Sequence, residues 1–469
     1  MNRRKLPILF AVLCAGCTVG PNYKRPVVPS PASFRAPEPL PPNQAASLAD
    51  LKWFEVFKDD KLQDLIRTAL RQNYDLRDAV LRVEEARANL GITRSNQYPN
   101  FGASGSVEIN RLSRDGATPL PAAFLPSQNR NFGQATLELL SFEIDIWGRL
   151  RRATEAARAN LLGAEENRKA VVTTLVSDVA TAYLTLRELD YDLDISKRTL
   201  QTREESLGLT KSRQTGGVST LLDLRQAEQL VDTAAQTIPG IEQQIEQTEN
   251  RITLLLGESP GNVARGDSLT EQDLPPQVPA GLPSELLERR PDIRAAEQQL
   301  VAANAEIGVA KAAYFPQVSL SGFLGGQSTQ LSSLFSGPNS VWSLVPQVTQ
   351  PIFTAGRLKS GVKLAEAERE RVLVQYEKTI QTAFTEVSDS LIAHQRVRES
   401  RERQEALVAA LQDRLRLAYL RYRGGVDTQL NALDADRDLF QAELDLSQIR
   451  LNELLTVVQL YKTLGGGWQ

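Results

Sequence analysis

Along the middle of the chain, apolar residues recur at alternating spacings of three and four. Val172, Leu175, Val179, Ala182, Leu186, Leu189 and Leu193 follow this rule. That spacing puts them on one helix stripe and marks a face that packs on a neighbouring helix, as in a coiled coil. The pattern opens at Gly148-Arg-Leu150 and continues to Gly216 without a proline, with Gly163 and Gly208 as its only interior glycines. At about 1.5 Å per residue this rod is roughly 95 Å long, more than a globular domain needs.

The segments around the rod read by the same logic. A helix is expected from about Lys61 to Gln97, stopped by Pro99. The period then drops to two. Phe101, Ala103, Gly105, Val107 and Ile109 share one face, and Gly102, Ser104, Ser106, Glu108 and Asn110 the other, which is a strand with an apolar and a polar side. A loop from Ser113 to Arg130 and a second strand from about Phe132 to Ile146 follow. Beyond the rod, a helix from Thr220 to Leu256 contains Pro239, where a kink is expected. Residues 257–283 are rich in Pro and Gly and form a connection.

The order then repeats. Asp75-Leu-Arg-Asp-Ala79 corresponds to Asp292-Ile-Arg-Ala-Ala296, Gly91 to Gly308, Pro99 to Pro316 and Ser104-Gly105 to Ser321-Gly322, all 217 residues apart. Past the strands the offset is 208: Gly148-Arg-Leu150 with Gly356-Arg-Leu358, Gly216-Gly-Val218 with Gly424-Gly-Val426, and Leu256-Gly257 with Leu464-Gly465. The change falls in the loop between strands, where length variation is tolerated. The chain is therefore an internal duplication with four strands and six helices. Its organisation reads as a signal at 1–16, a tether at 17–50, and a first repeat at 51–256 with strands at about 100–146 and a tip at 214–219. A connector at 257–283 leads to a second repeat at 284–469, with strands at about 317–353 and a tip at 423–428. The second rod, Arg357 to Arg423, is as long as the return helices Thr220–Leu256 and Ser284–Ala313 laid end to end.

These lengths place four amphipathic strands at the end opposite the two Gly-Gly tips. Strands survive in lipid only inside a closed barrel, and four are too few to close one. Several chains must share it. Two would give eight strands, with an interior filled by side chains; three would give a twelve-stranded barrel with an open lumen, continued by twelve helices as a tube: a conduit.

Composition narrows the function further. Aromatic residues are only 6%, the net charge is -3 with both signs interspersed, and there is one histidine, His394. Nothing calls for nucleic acid or a cofactor, and no nucleophile–base, metal or phosphate-loop constellation exists. Lone His394 on a rod reads as packing or lumen-facing. Cys14 and Cys17 lie in the first 20 residues, so a disulfide framework and a Cys/His zinc site are excluded from the rest. Asn2-Arg-Arg-Lys5 followed by the short apolar run Leu6–Leu13 is an export signal. Ala15-Gly16-Cys17 resembles a bacterial lipobox, with Cys14 where Leu is usual, and lipidation is expected at Cys17. An ordinary signal cut nearby is the alternative. Thr18 after the cysteine, rather than Asp, favours the outer membrane by resemblance. Residues 20–47 hold eight prolines and read as an extended tether.

Together these segments resemble the TolC-like outer-membrane factors, in particular the lipoprotein branch serving RND-type efflux pumps. The carriers are Cys17-Thr-Val-Gly-Pro-Asn-Tyr-Lys-Arg-Pro26, Trp147-Gly-Arg-Leu150, Arg289-Arg-Pro-Asp-Ile-Arg294, Tyr314-Phe-Pro316, Pro351-Ile-Phe353 with Gly356-Arg357, and Arg421-Tyr-Arg-Gly-Gly-Val426 with Leu433-Asp-Ala435. The resemblance spans nearly the whole chain. It implies an α+β homotrimer: a 12-stranded transmembrane β-barrel in outer-membrane lipid, continued by an α-helical coiled-coil barrel in the periplasm. The partners it implies are a periplasmic membrane-fusion adaptor and an inner-membrane RND-type pump, with small molecules such as drugs as cargo. A type I protein-secretion duct and a non-conducting periplasmic coiled-coil lipoprotein are the competing readings.

The resemblance also implies roles for residues. Gly216, Gly217, Val218 and Ser219, and Gly424, Gly425, Val426 and Asp427, match the turns that dock adaptor hairpins; plain turns are the alternative. Leu430 and Asp434 match the periplasmic constriction and lie on one helix face by their i, i+4 spacing. In a trimer each forms a ring, the apolar one blocking hydrated solutes and the acidic one favouring cations. Arg421, Tyr422 and Asp438 are candidate supports of this gate, and Asp427 adds charge. Asp436 departs from the family pattern, where a neutral polar residue is usual; solvated outer-face charge is the alternative for Asp434 and Asp438 and the favoured reading of Asp436.

Overall fold

The computed structural model describes residues 18–31, 33–36, 47–111, 129–272 and 283–468. The signal with Cys14 and Cys17, nearly all of the loop before Arg130 and the far part of the 257–283 connection lie outside the described residues. A 3-10 turn at Leu48–Asp50 precedes α1 (Trp53–Val56), α2 (Asp60–Gln72) and α3 (Tyr74–Ser95). Strands β1 (Phe101–Arg111) and β2 (Asn129–Ile144) lead to the first rod, α4 (Arg149–Thr215), and its return helix α5 (Leu221–Leu256). The second repeat contains α6 (Pro283–Arg289), α7 (Pro291–Ala312), β3 (Gln317–Ser328), β4 (Ser340–Thr349), rod α8 (Arg357–Arg423) and α9 (Gln429–Thr463). Each rod has 67 residues, and α5 continues through Pro239. No helix of the described residues is long and apolar enough to cross a membrane.

The chain divides into two compact units. One comprises the chain up to Pro26, residues 83–163 and residues 296–376. Its centre is an antiparallel sheet in the order β1-β2-β3-β4. The register aligns one apolar face across the strands: Ala103 opposite Leu137, Leu137 opposite Leu324 and Leu324 opposite Trp342. Beside that row, Phe142, Leu320 and Pro346 align, then Ile144, Val318 and Val348. Leu137, Leu324 and Trp342 are more than half exposed. The opposite face carries Ser104, Thr136 and Glu138, hydrogen-bonded to one another, with Gln134 opposite Gln327. Among the described residues β1 and β4 each pair on one side only, leaving two free edges.

The same unit clasps the chain entering it. Val19 N–H donates to Trp147 O (3.0 Å). The buried Arg152 donates to Val19 O (3.3 Å), Gly20 O (3.3 Å) and Asn22 Oδ1 (2.7 Å). Tyr23 and Arg25 both donate to Glu297 (3.1 and 2.8 Å). Gly20 lies against Gly308, where a Cβ on Gly20 would come within 2.5 Å of the Gly308 Cα. Trp147 stacks on Phe315 at 4.7 Å and donates to Pro316 O (2.9 Å).

The second unit comprises residues 27–82, 164–295 and 377–469. Here the duplication is visible as two matching joints. The single helix expected over Lys61–Gln97 is two, α2 and α3, broken at Asn73; the single helix expected over Ser284–Ala313 is also two, α6 and α7, broken at Arg290. Each break has a physical reason. Asn73 Oδ1 caps α3 by accepting from Leu76 N–H (2.9 Å), while its Nδ2 donates to Leu255 O at the end of α5 (2.9 Å). Arg290 precedes Pro291, a helix-starting position, and its Nη1 donates to Thr463 O at the end of α9 (3.1 Å). Beside each joint a left-handed glycine ends the return helix, Gly257 (φ +76°) against Gln72 and Gly465 (φ +84°) against Arg289. Asn73→Ala removes both the cap and the bridge, and thermal denaturation is expected to show a loss of about 1–2 kcal/mol; an unchanged melting temperature would show that the joint is held by packing alone.

The stripe read along the first rod is buried from Leu175 to Leu189 and half-buried at Val172 and Leu193. Val176, Ala180, Tyr183 and Leu184 are buried as well, so this part of α4 is enclosed over a wider face than one coiled-coil seam. Tyr183 donates to Asp59 (2.7 Å), which also accepts from Asp267 N–H (3.0 Å) and Gln272 (2.9 Å).

Candidate functional site

Both rods end in the same turn. Val218 N–H donates to Arg213 O (2.9 Å) and Gly217 N–H to Gln214 O (3.0 Å). Val426 N–H donates to Arg421 O (3.1 Å) and Gly425 N–H to Tyr422 O (3.0 Å). This paired bonding closes a helix end only when one residue is left-handed. That residue is the second glycine of each pair, Gly217 (φ +74°) and Gly425 (φ +77°), because a side chain is strained there. Gly216, Gly217, Val218, Gly424, Gly425 and Val426 are exposed, and Ser219 and Asp427 half-buried.

The turns differ in how the return helix starts. Thr220 and Asp223 cap α5 reciprocally (Asp223 N–H to Thr220 Oγ1, 3.2 Å; Thr220 N–H to Asp223 Oδ2, 2.8 Å). At the second tip the Thr428 side chain makes no cap bond. Asp427 organises that turn instead, accepting from Arg421 Nε (2.9 Å), Thr428 N–H (2.8 Å) and Asn431 Nδ2 (2.6 Å). The bonds from Arg421 and Asn431 hold the Asp427 carboxyl below its ordinary range. Arg421 thus braces its own turn. Tyr422 is buried; its hydroxyl donates to Gln429 Oε1 (3.3 Å), and the Arg213 guanidinium lies over its ring at 4.8 Å. Gln429 in turn donates to Thr210 Oγ1 (2.7 Å), so the second tip is tied to the first rod.

Just inside this tip, Leu430 is exposed and Asp434 half-buried. Asp434 pairs with Arg437 (3.2 Å). Asp438 pairs with Arg414 (2.7 Å) and Arg437 (3.2 Å), and Arg414 chiefly keeps its carboxyl low. Each of these acids therefore carries an arginine beside it, which offsets much of the negative charge read from the sequence.

Asp436 corrects the expectation of a solvated outer-face acid. It is buried against Arg203 of α4, whose Nε donates to Asp436 Oδ2 at 2.6 Å. Arg203 also donates to Leu230 O of α5 (3.0 Å) and stands over the Phe440 ring of α9 at 5.0 Å. Burial pushes the Asp436 carboxyl up, while the guanidinium opposes that rise. A buried acid at this position requires a cation beside it, and that cation is 233 residues away in the chain. Arg203 was missed because the rods carry many arginines. Its one sequence signal is position: Ile195, Thr199, Arg203 and Thr210 continue the buried face of α4.

His394 Nδ1 meets Thr456 Oγ1 at 2.9 Å, and burial lowers its affinity for a proton. Among the described residues no group of three or more His, Cys, Asp or Glu is placed to hold a metal ion.

Comparison with known proteins adds to this geometry. The family model of outer membrane efflux proteins matches residues 65–258 and 282–466, the two repeats. The chain is 39% identical over 465 residues to the probable efflux pump outer membrane protein TtgC of Pseudomonas putida, covering 98% of this chain and 94% of the relative. It is 35% identical over 466 residues to the cation efflux system protein CusC of Escherichia coli, covering 99% and 98%. Among solved structures, CusC superposes with a TM-score of 0.86 at 34% identity, covering 96% of this chain and all of that one. The open state of the Neisseria gonorrhoeae MtrE outer membrane channel superposes at 0.87 and 32% identity, covering 97% and 99%.

Proposed function

This chain belongs to the outer membrane efflux protein family, and we propose that it works as a homotrimeric duct, passing small molecules from an inner-membrane pump across the periplasm and the outer membrane. Its fold is α+β and its place is the outer membrane, as the channel component of an efflux system. The observation that carries the trimeric reading is the sheet: a continuous apolar face, a polar face and two free edges. An open edge in lipid leaves backbone groups unpaired, so β1 of one copy must meet β4 of the next. Three copies supply twelve strands, wide enough for a lumen lined by the Ser104, Thr136 and Gln327 face. The duct needs no catalytic residues.

The remaining assignments rest on the tips. Exposed Gly216–Val218 and Gly424–Val426 suit docking of a periplasmic membrane-fusion adaptor, which links the duct to an RND-type pump. Leu430 and Asp434, on one face just inside the second tip, are assigned to the periplasmic gate, with Arg421, Tyr422 and Asp438 in support. Lipidation is assigned to Cys17 on the lipobox Ala15-Gly16-Cys17.

Planar-bilayer recording with cross-linking tests this reading. Wild-type protein is expected to cross-link as a trimer and to show small, cation-preferring steps. Asp434→Ala should raise conductance or weaken the cation preference. A monomer without conductance would defeat the duct; unchanged conductance and selectivity in Asp434→Ala would remove Asp434 from the gate.

A further inference from the structure

The middle of α4 holds an acid pair that neither the tips nor the sheet explains. Glu188 and Asp192 are one turn apart, so their side chains share a face. Glu188 is only 4% exposed and Asp192 is half-buried. The neighbouring acid on this helix, Asp190, is paired with Arg187 and with Arg265 (3.2 Å). Glu188 and Asp192 have no such ion pair among the described residues; Glu188 lies beside Asp192, and Asp192 beside Ser447 of α9.

Their surroundings are polar but poorly matched. Asp192 Oδ1 and the fully buried Ser447 Oγ lack a well-aligned hydrogen bond, and so does the buried Ser196 Oγ one turn further along α4. The pair borders a groove of about 620 Å³ lined by Gln244, Gln247 and Arg251 of α5 and by Gln448 of α9. Arg251 is the one cation among its described lining residues, and it is exposed. The α9 residues at the groove do not titrate.

Two carboxylates side by side in a buried seam cannot both be charged without an adjacent cation. A divalent ion would neutralise them, but among the described residues no third acid, histidine or cysteine is placed beside the pair to help hold one. One shared proton meets the need: Glu188 donates to Asp192, and the seam then holds one negative charge. We propose that Glu188 and Asp192, facing Ser447, form a proton-binding joint between α4 and α9, so that this seam is tight when the pair holds a proton and loosens when it loses it. Burial, then the Asp192 charge, push the Glu188 carboxyl up to about 8, and burial pushes Asp192 up as well.

The sign of the pH effect follows. A group whose folded value is raised adds stability below its unfolded value, and that stability is lost as pH rises towards the folded value. Here the window runs from 4.5 to about 8. A consequence for the pore rests on the reading of α9 as the gate helix, since α9 carries Leu430 and Asp434.

The test uses full-length protein in detergent. Infrared spectra at pH 7 should show the carbonyl band of a protonated carboxylic acid in wild type, and Glu188→Gln should abolish it. Denaturant unfolding should show the wild-type unfolding constant rising by up to tenfold per pH unit across this window relative to Glu188→Gln, by the linkage of one proton. If Glu188→Gln does not assemble, Asp192→Asn serves, with a reduced but not abolished pH slope expected, because burial alone still raises the Glu188 carboxyl. An acid band that persists in both variants, or one pH slope shared by all three proteins, overturns the proposal. Added CaCl2 or MgCl2 should change nothing; stabilisation at high pH by either, with no acid band at pH 7, would make this a metal-cation site instead. Both readouts concern the joint alone, so they stand apart from the conductance of Asp434→Ala, which tests the gate.

Discussion

Replacing Asp436 with alanine is expected to destabilise the protein by about 3–5 kcal/mol, the usual result of leaving one partner of a buried ion pair uncompensated. The cost arises at Arg203. Its guanidinium is buried, its Nη2 already lacks a hydrogen bond, and the substitution removes the charge 2.6 Å from its Nε. The Leu230 carbonyl and the Phe440 ring remain, and they cannot neutralise a full positive charge. The double substitution Arg203→Met with Asp436→Leu is expected to recover most of the loss, because well-packed apolar residues often replace a buried pair at little cost. Thermal denaturation of the three proteins followed by helix content decides the matter. A loss below about 1 kcal/mol for Asp436→Ala would mean that water reaches Arg203, as at surface pairs.

The second large effect is expected in the sheet. Leu324→Arg puts a charge at the middle of the apolar face, between Leu137 and Trp342, and should cost about 2–4 kcal/mol if that face meets lipid near the bilayer centre. Gln327→Arg, three residues on and on the opposite face beside Gln134, should cost much less, because a water-filled lumen solvates the charge. Folding into vesicles, scored by resistance to denaturant, separates the two. Equal penalties would mean that the faces are not divided between lipid and lumen, and would undo the orientation given to the barrel.

Much of the fold could be read along the chain because it rests on local rules. Phe101 and Ala103 of the period-two face line up with Leu139 and Leu137, and the repeat offsets led to matching turns at Gly217 and Gly425. Rods of equal length followed from unbroken helix formers between glycines. The gate assignment was legible only as far as Leu430 and Asp434 share a helix face. That Asp434 and Asp438 each lie beside an arginine was not, since charges of both signs fill these helices and spacing does not say which of them meet.

By itself, then, the sequence determined the duplication, the element types, the two faces of the strands and the position of both tips, all consequences of periodicity and of glycine and proline chemistry. Only the tertiary structure decided which side chains are enclosed together. Asn73 and Arg290 break their helices because each reaches a return helix more than 170 residues further along the chain. Asp436 is buried because Arg203 crosses from another helix to meet it, whereas Glu188 and Asp192 lie side by side with no ion pair among the described residues. Burial and pairing depend on contacts remote in sequence, and no local pattern encodes them.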